Sequence, residues 1–340
     1  MKSITWENNV LNIAASFHVV DSHTLGQTTR VIFSGCPRLK GESVLEQRED
    51  FERRFDHLRG IWLAEPRGNV SAFGLLLVPS RTADYGAIFL ARDGYVDMCG
   101  HASIGLAATL AAIGTLGAGR DESFTLEVPA GVVTVGVLWN DDGSFRSAKL
   151  YNVPSYVLGA PLEVDTARCG TLSVDLVHSG MIYALIDAKK LGLDLSAEGL
   201  PKANEIGNLL KKEIFAAFST REDLCTQSLH AVLFYDEEPD EGGVCTAKHL
   251  LVVDQQRYDR SPCGTGTAAR LTHLVHQGRV RADGAYRAFN IFGNNFTARP
   301  AKIEGNKITA EIEGTAHIMS FSNLILQKSD PFVKGFVSKF

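Results

Sequence analysis

The sequence predicts an α+β protein of two pseudo-symmetric domains, each a curved β-sheet or barrel wrapped around one central helix. Three observations lead there. Short strand-like runs with turn residues between them recur through the chain. The stretch after Cys99, GHASIGLAATLAAIGTLG, is apolar on every side, as a helix enclosed by other elements must be. CGHASIG at 99–105 is echoed by CGTGTAA at 263–269, about half the chain later. Two copies of one plan, each with a cysteine where its central helix begins, is the simplest account.

The chain has 340 residues, more than one compact core of ordinary size organises. The division expected is 1–158 for the half carrying Cys99 and 159–324 for the half carrying Cys263, with 325–340 returning to the first. Strands are expected at 30–35, 86–96, 124–139, 149–158, 230–236, 249–254 and 307–318, and RDG, PAG and NDDG mark hairpin turns among them. SVLEQREDFERRFDHLR (43–59) has apolar residues at helical spacing, and PKANEIGNLLKKEIFAAF (201–218) opens with proline, which suits a helix's first turn. The second central helix, TAARLTHLVHQGRV, is broken by Arg270, His273 and His276, and the two histidines are expected on a solvated face.

Bulk composition removes several classes of function. With 34 Lys and Arg against 39 Asp and Glu, the net charge is −5 and no basic block is present, so a nucleic-acid partner is not expected. No apolar run approaches the roughly 18 residues of a membrane span, and Glu7 with two asparagines interrupts the N-terminal apolar stretch. A cytoplasmic protein without membrane association is the expectation. Six cysteines without a CxxC pair suggest neither a disulfide framework nor a zinc site. Cys36, Cys169, Cys225 and Cys245 read as packing residues.

Cys99 and Cys263 read differently. The unpaired amides and partial positive charge at a helix start favour a thiolate, and the same amides bind carboxylates. If the two halves face each other, two thiols approach a small carboxylate ligand from opposite sides. One takes a proton from a carbon and the other returns one to its far face. A thiolate and a thiol, tuned near ambient pH, meet the demands of base and acid. The amides of Gly100, His101, Gly264 and Thr265 are the candidates to stabilise the developing carbanion charge. Asp259 is either a cap for the turn before the helix or a ligand for a substrate cation.

Three competing readings are weaker. His101 lacks a second histidine or a carboxylate at i+3 or i+4 to hold a metal. A cysteine-protease pairing of Cys99 with His101 is disfavoured because residues two apart on a helix start point in different directions. GTGTA lacks the third glycine of a dinucleotide fingerprint.

MCGHASIG (98–105) and DRSPCGTGTAAR (259–270) resemble the proline racemase family, whose fold type is that of diaminopimelate epimerase. DSHTLGQTTRV (21–31), EPRGN (65–69), ADYGAIF (83–89), EVPAG (127–131), NVPSYV (152–157) and DPFVKGF (330–336) extend the resemblance over nearly the whole chain. It implies a racemase or epimerase that inverts the α-carbon of proline or hydroxyproline without a cofactor. Cys99 and Cys263 would be the paired acid and base, with Gly100, His101, Gly264 and Thr265 around the substrate carboxylate and Asp259 near its ring nitrogen. The oligomeric state is left open, a homodimer included.

The family pattern usually has Glu where this chain has Gln27 and His where it has Asn69. It has Tyr-Gly-Gly or similar where His178, Ser179 and Gly180 stand. After the first CGH, proline racemases tend to have Asn and hydroxyproline epimerases Gly, whereas Ala102 stands here. These positions are expected to shape the pocket. Ala102 and LEQR (45–48) also resemble the trans-3-hydroxyproline dehydratases, but that branch typically lacks the second cysteine, so Cys263 argues against it. A third alternative is a homologue that binds an imino acid without turning it over.

Overall fold

The computed structural model describes residues 13–117, 122–221, 229–254 and 257–336. The first half runs β1 (Ile13–Thr24), β2 (Gln27–Ile32), α1 (Val44–Phe55), α2 (His57–Leu63), β3 (Gly74–Val78), β4 (Tyr85–Ala91) and β5 (Gly94–Val96). It continues through α3 (Gly100–Ala112), β6 (Glu122–Val128), β7 (Gly131–Trp139) and β8 (Phe145–Tyr151). After β9 (Tyr156–Val157) and β10 (Leu162–Thr166) come β11 (Gly170–His178), β12 (Ile182–Asp187), α4 (Leu200–Phe218), β13 (Leu229–Glu241) and β14 (Val244–Val252). The chain then forms α5 (Gly264–His276), β15 (Tyr286–Phe289), β16 (Asn295–Glu304), β17 (Lys307–Gly314) and β18 (His317–Gln327).

The pairings repeat almost element for element. In the first half β1–β2 is antiparallel, β2–β3 parallel across a helical crossover, β3–β4 antiparallel, β4–β6 parallel across α3, and β6–β7–β8 antiparallel. In the second, β11–β12 is antiparallel, β12–β13 parallel across α4, β13–β14 antiparallel, β14–β15 parallel across α5, and β15–β16–β17 antiparallel. β8 pairs with β17 and joins the halves. The strand that follows each half then crosses over: β9 pairs with β11 of the second, and β18 pairs with β1 of the first. The returning segment placed at 325–340 therefore begins at His317.

α3 and α5 occupy equivalent places. α3 packs against β1, β2, β3, β7, β8 and β18, and α5 against β9, β11, β12, β16 and β17. Every residue of α3 from Gly100 to Leu110 is buried, which accounts for its lack of a polar face. Ala107 and Leu110 of α3 share one core with Ala268, Leu271 and Leu274 of α5.

Several elements differ from the sequence-based expectation. The helix over 43–59 is two helices that break at Asp56, whose carboxylate is held by Arg59 (2.8 Å) and by the Tyr95 hydroxyl (2.6 Å). Ser43 and Glu46 form a reciprocal capping box at its start. His276 is exposed, but His273 is buried rather than solvated. Arg270, 1% exposed, lies 3.8 Å from the centre of the Tyr235 ring and donates to His273 Nδ1 at 2.7 Å, while His273 Nε2 is 3.2 Å from Asp175. Arg270 and His273 face inward because each meets a partner there. Cys36, Cys169 and Cys245 are half-buried against apolar clusters, and Cys225 lies outside the described residues. Among the described residues no helix is long and apolar enough to cross a membrane.

Candidate active site

The two helix starts meet glycine to glycine. A Cβ built on Gly100 would lie 2.8 Å from the Cα of Gly264, and one built on Gly264 would lie 2.8 Å from the Cα of Gly100. Only residues without a side chain permit this approach. It brings Cys99 and Cys263, each the residue before its helix, to one cavity that opens to solvent between the halves. Gly100, His101, Asp259, Gly264 and Thr265 line the same cavity, so all seven residues singled out from the sequence converge there.

The two cysteines are equivalent in topology but not in backbone. Cys99 is extended, with φ −145° and ψ 110°. Cys263 has φ 64°, a left-handed value that costs a non-glycine residue about 1–3 kcal/mol and must be imposed by its surroundings. A relay of side chains imposes it. Asp259 Oδ1 accepts from the Ser261 amide and hydroxyl, both at 2.8 Å, and Ser261 Oγ accepts from the Cys263 amide at 3.1 Å. Asp259 is therefore the turn cap considered from sequence, while its carboxylate also borders the cavity.

Cys99 Sγ lies 3.3 Å from His101 Nδ1. The expectation that these side chains diverge fails because Cys99 is extended and precedes the helix, so helical spacing does not govern the pair. Burial pushes the His101 imidazole below its ordinary pKa, which keeps it neutral and able to orient the thiol. The ring also packs edge-on against Phe73, 4.8 Å between centres. Across the cavity Gly266 N–H donates to Cys263 Sγ at 3.3 Å, and Thr265 Oγ1 is 2.6 Å from the Tyr183 hydroxyl.

The thiols are less acidic than their helix starts alone suggest. Burial pushes Cys99 and Cys263 up, and the Asp259 carboxylate raises both further. The amides of Ala102 and His101 pull Cys99 down, and that of Gly266 pulls Cys263 down, without reversing the direction. The electrostatic sign is testable. Asp259→Asn removes a negative charge, so both thiol pKa values should fall and iodoacetamide should alkylate both cysteines faster in the ligand-free protein. Unchanged or slower modification would contradict the placement of that carboxylate.

Of the departures from the family pattern, Gln27 lines the cavity. Ala102 is fully buried in α3. Asn69 accepts from the Ser71 amide and hydroxyl and so acts on a wall residue from behind. His178 stacks on Tyr156 away from the cavity, Ser179 bonds Asn152 and Ser155, and a Cβ on Gly180 would strike Met98 at 2.8 Å. The expectation that all these positions shape the pocket is corrected: most of them support its walls.

Met98, Met181, Tyr183, His230 and Arg257 also line the cavity and were not singled out from sequence. Tyr183 and His230 sit in strands whose apolar neighbours conceal them, whereas Arg257 lies two residues before Asp259 and was within reach. Burial and the charges of Lys211 and Arg257 push His230 down to about 3, so it is neutral. It packs against Tyr183 and has no hydrogen-bond partner among the described residues. Arg257 pairs with Asp254 and with Asp93 of the β4–β5 turn, tying the two halves at the cavity.

The family model described as proline racemase matches residues 19–337. A proline racemase of Clostridioides difficile is 32% identical over 342 residues, covering 97% of this chain and 100% of its own. The trans-3-hydroxy-L-proline dehydratase of Homo sapiens is 32% identical over 337 residues, 94% of each chain. The crystal structure of a hydroxyproline epimerase from Agrobacterium vitis with bound trans-4-hydroxy-L-proline superposes with a TM-score of 0.84 at 28% identity, covering 95% of this chain and 96% of that one. A methylitaconate-delta-isomerase, TM-score 0.56 at 14% identity, shares the fold alone. The chain belongs to the proline racemase family.

Proposed function

We propose that the protein is a cofactor-independent epimerase or racemase that inverts the α-carbon of a proline-type imino acid. The observation that carries the reading is the convergence of Cys99 and Cys263 on one cavity, each immediately before a buried helix. The substrate carboxylate rests against the amides of Gly100, His101, Gly264 and Thr265, and its ring ammonium faces Asp259. One thiolate removes the α-proton while the other thiol delivers a proton to the opposite face, and the reverse reaction exchanges their roles. An ammonium beside Asp259 offsets the carboxylate that raises both thiols, so substrate binding itself favours ionisation of the base. Of proline and hydroxyproline, the neutral and unpartnered His230 favours a ring that carries a hydroxyl.

The test is incubation of both configurations of proline and 4-hydroxyproline in deuterated water. Deuterium at the α-carbon with a change of optical rotation is expected for at least one of them; none with any would overturn the proposal. Dehydratases among the relatives supply a second reading for 3-hydroxyproline, in which the β-hydroxyl leaves after α-proton removal. A cyclic imine trapped with an aminobenzaldehyde reagent would identify that elimination.

A further inference from the structure

We propose that Asn290 and Gln27 are positioning residues which together clamp the Arg260 peptide and so hold Cys263 in its left-handed conformation. Asn290 is 1% exposed and follows β15, outside the cavity. Its Nδ2 donates to Arg260 O at 2.8 Å and to Leu25 O at 3.0 Å, and its Oδ1 accepts from the amides of Phe292 and Asn294. Gln27 holds the other end of the same residue: its Oε1 accepts from Arg260 N at 3.1 Å, and its Nε2 donates to Ser71 O at 3.0 Å. Each amide is fixed in orientation by these partners, because an exchange of N and O would set donor against donor.

The clamp links three parts of the site. Leu25, itself at φ 48°, belongs to the β1–β2 turn of the first half, and Ser71 belongs to the cavity wall. Arg260 sits between Asp259 and Ser261, the two residues that fix the Cys263 amide. With the Arg260 amide bonded to Gln27 of the first half and its carbonyl bridged through Asn290 to Leu25 of that half, the strained thiol is held in register with Cys99 across the halves. A small displacement of a reacting group is costly in rate, so such tethering bears directly on turnover.

The inference rests on the two-thiol reading for its catalytic meaning, but thiol modification tests it independently of turnover. The experiment is iodoacetamide alkylation of Cys99 and Cys263, quantified at each site by mass spectrometry. Asn290→Ala frees the carbonyl side of Arg260 and Gln27→Met the amide side. Each should raise the rate at Cys263 relative to Cys99 by at least about threefold, because an untethered loop exposes a sulfur that is now enclosed. Leu210→Ala, a cavity in the core beneath α4, should lower thermal stability and leave the ratio unchanged. An unchanged ratio in both clamp variants, or an equal shift in all three proteins, would overturn the clamp. Should Asn290→Ala fail to fold, Gln27→Met carries the test. If the parent protein exchanges no imino-acid α-proton, the functional reading fails while the ratio still reports on the clamp. With an active substrate, kcat of each clamp variant should fall by at least about tenfold.

Discussion

Cys263→Ser is expected to lower kcat for epimerisation by at least about 10³-fold, near the upper range for removal of one acid–base group. The replacement is nearly isosteric, so the cavity and its amides persist. A serine hydroxyl, however, is far too weak an acid to serve as a reversible proton acceptor near neutral pH. Burial already pushes the cysteine thiol up, and the same burial opposes an alkoxide more strongly still. Binding of a carboxylate ligand should survive, visible as a rise in thermal midpoint on ligand addition. Near-parental activity in the variant would show that Cys263 is not one of the two proton carriers.

Gly264→Ala is expected to damage both stability and activity. Its new Cβ would lie 2.8 Å from Gly100 Cα and 3.2 Å from Gly100 C, and the obstacle is backbone rather than a side chain that can swing aside. The starts of α3 and α5 must then separate, at an expected cost of about 1–3 kcal/mol or more for the overpacking. Because both thiols sit on those starts, separation also alters the gap that a substrate's α-carbon spans, and kcat/KM should fall about 10²-fold or more. Gly100→Ala should behave in the same way, since the contact is reciprocal. A variant of either kind with unchanged melting and turnover would show that the helices are not in direct contact.

How much of this could be read in advance differs between fold and site. The buried helix after Cys99 was legible because thirteen residues with almost no polar side chain admit one placement. The duplication was legible only at its two cysteine motifs. Its fuller evidence, the matched series of antiparallel and parallel pairings, is long-range and leaves no local mark. β11 (GTLSVDLVH) and β12 (IYALID) illustrate the difficulty, since partner strands rather than propensity define them. His273 was misplaced because a histidine on a helix reads as solvated until Arg270 and Asp175 are known to meet it.

The paired thiols and the glycine-rich helix starts were visible because their chemistry is written in contiguous residues. Tyr183, His230 and Arg257 reach the cavity from β12, β13 and the segment after β14, and only the pairing of distant strands unites them. Gln27 stood out as a departure from the family pattern, but its hydrogen bonds to Arg260 and Ser71 were needed to show what the amide does there. Asn290 carried no sequence mark at all. Its importance lies in two carbonyls, one from each half of the molecule.

The central claim is that two thiols act on opposite faces of one carbon, each as base in one direction. Its most direct test follows the α-hydrogen during the first few per cent of reaction in deuterated water, starting separately from each configuration of the responsive imino acid. Two distinct proton carriers predict that the inverted product contains deuterium while unreacted substrate remains protiated, in both directions. Early product that retains the substrate's own α-proton would mean that one group removes and returns it, and would contradict the account.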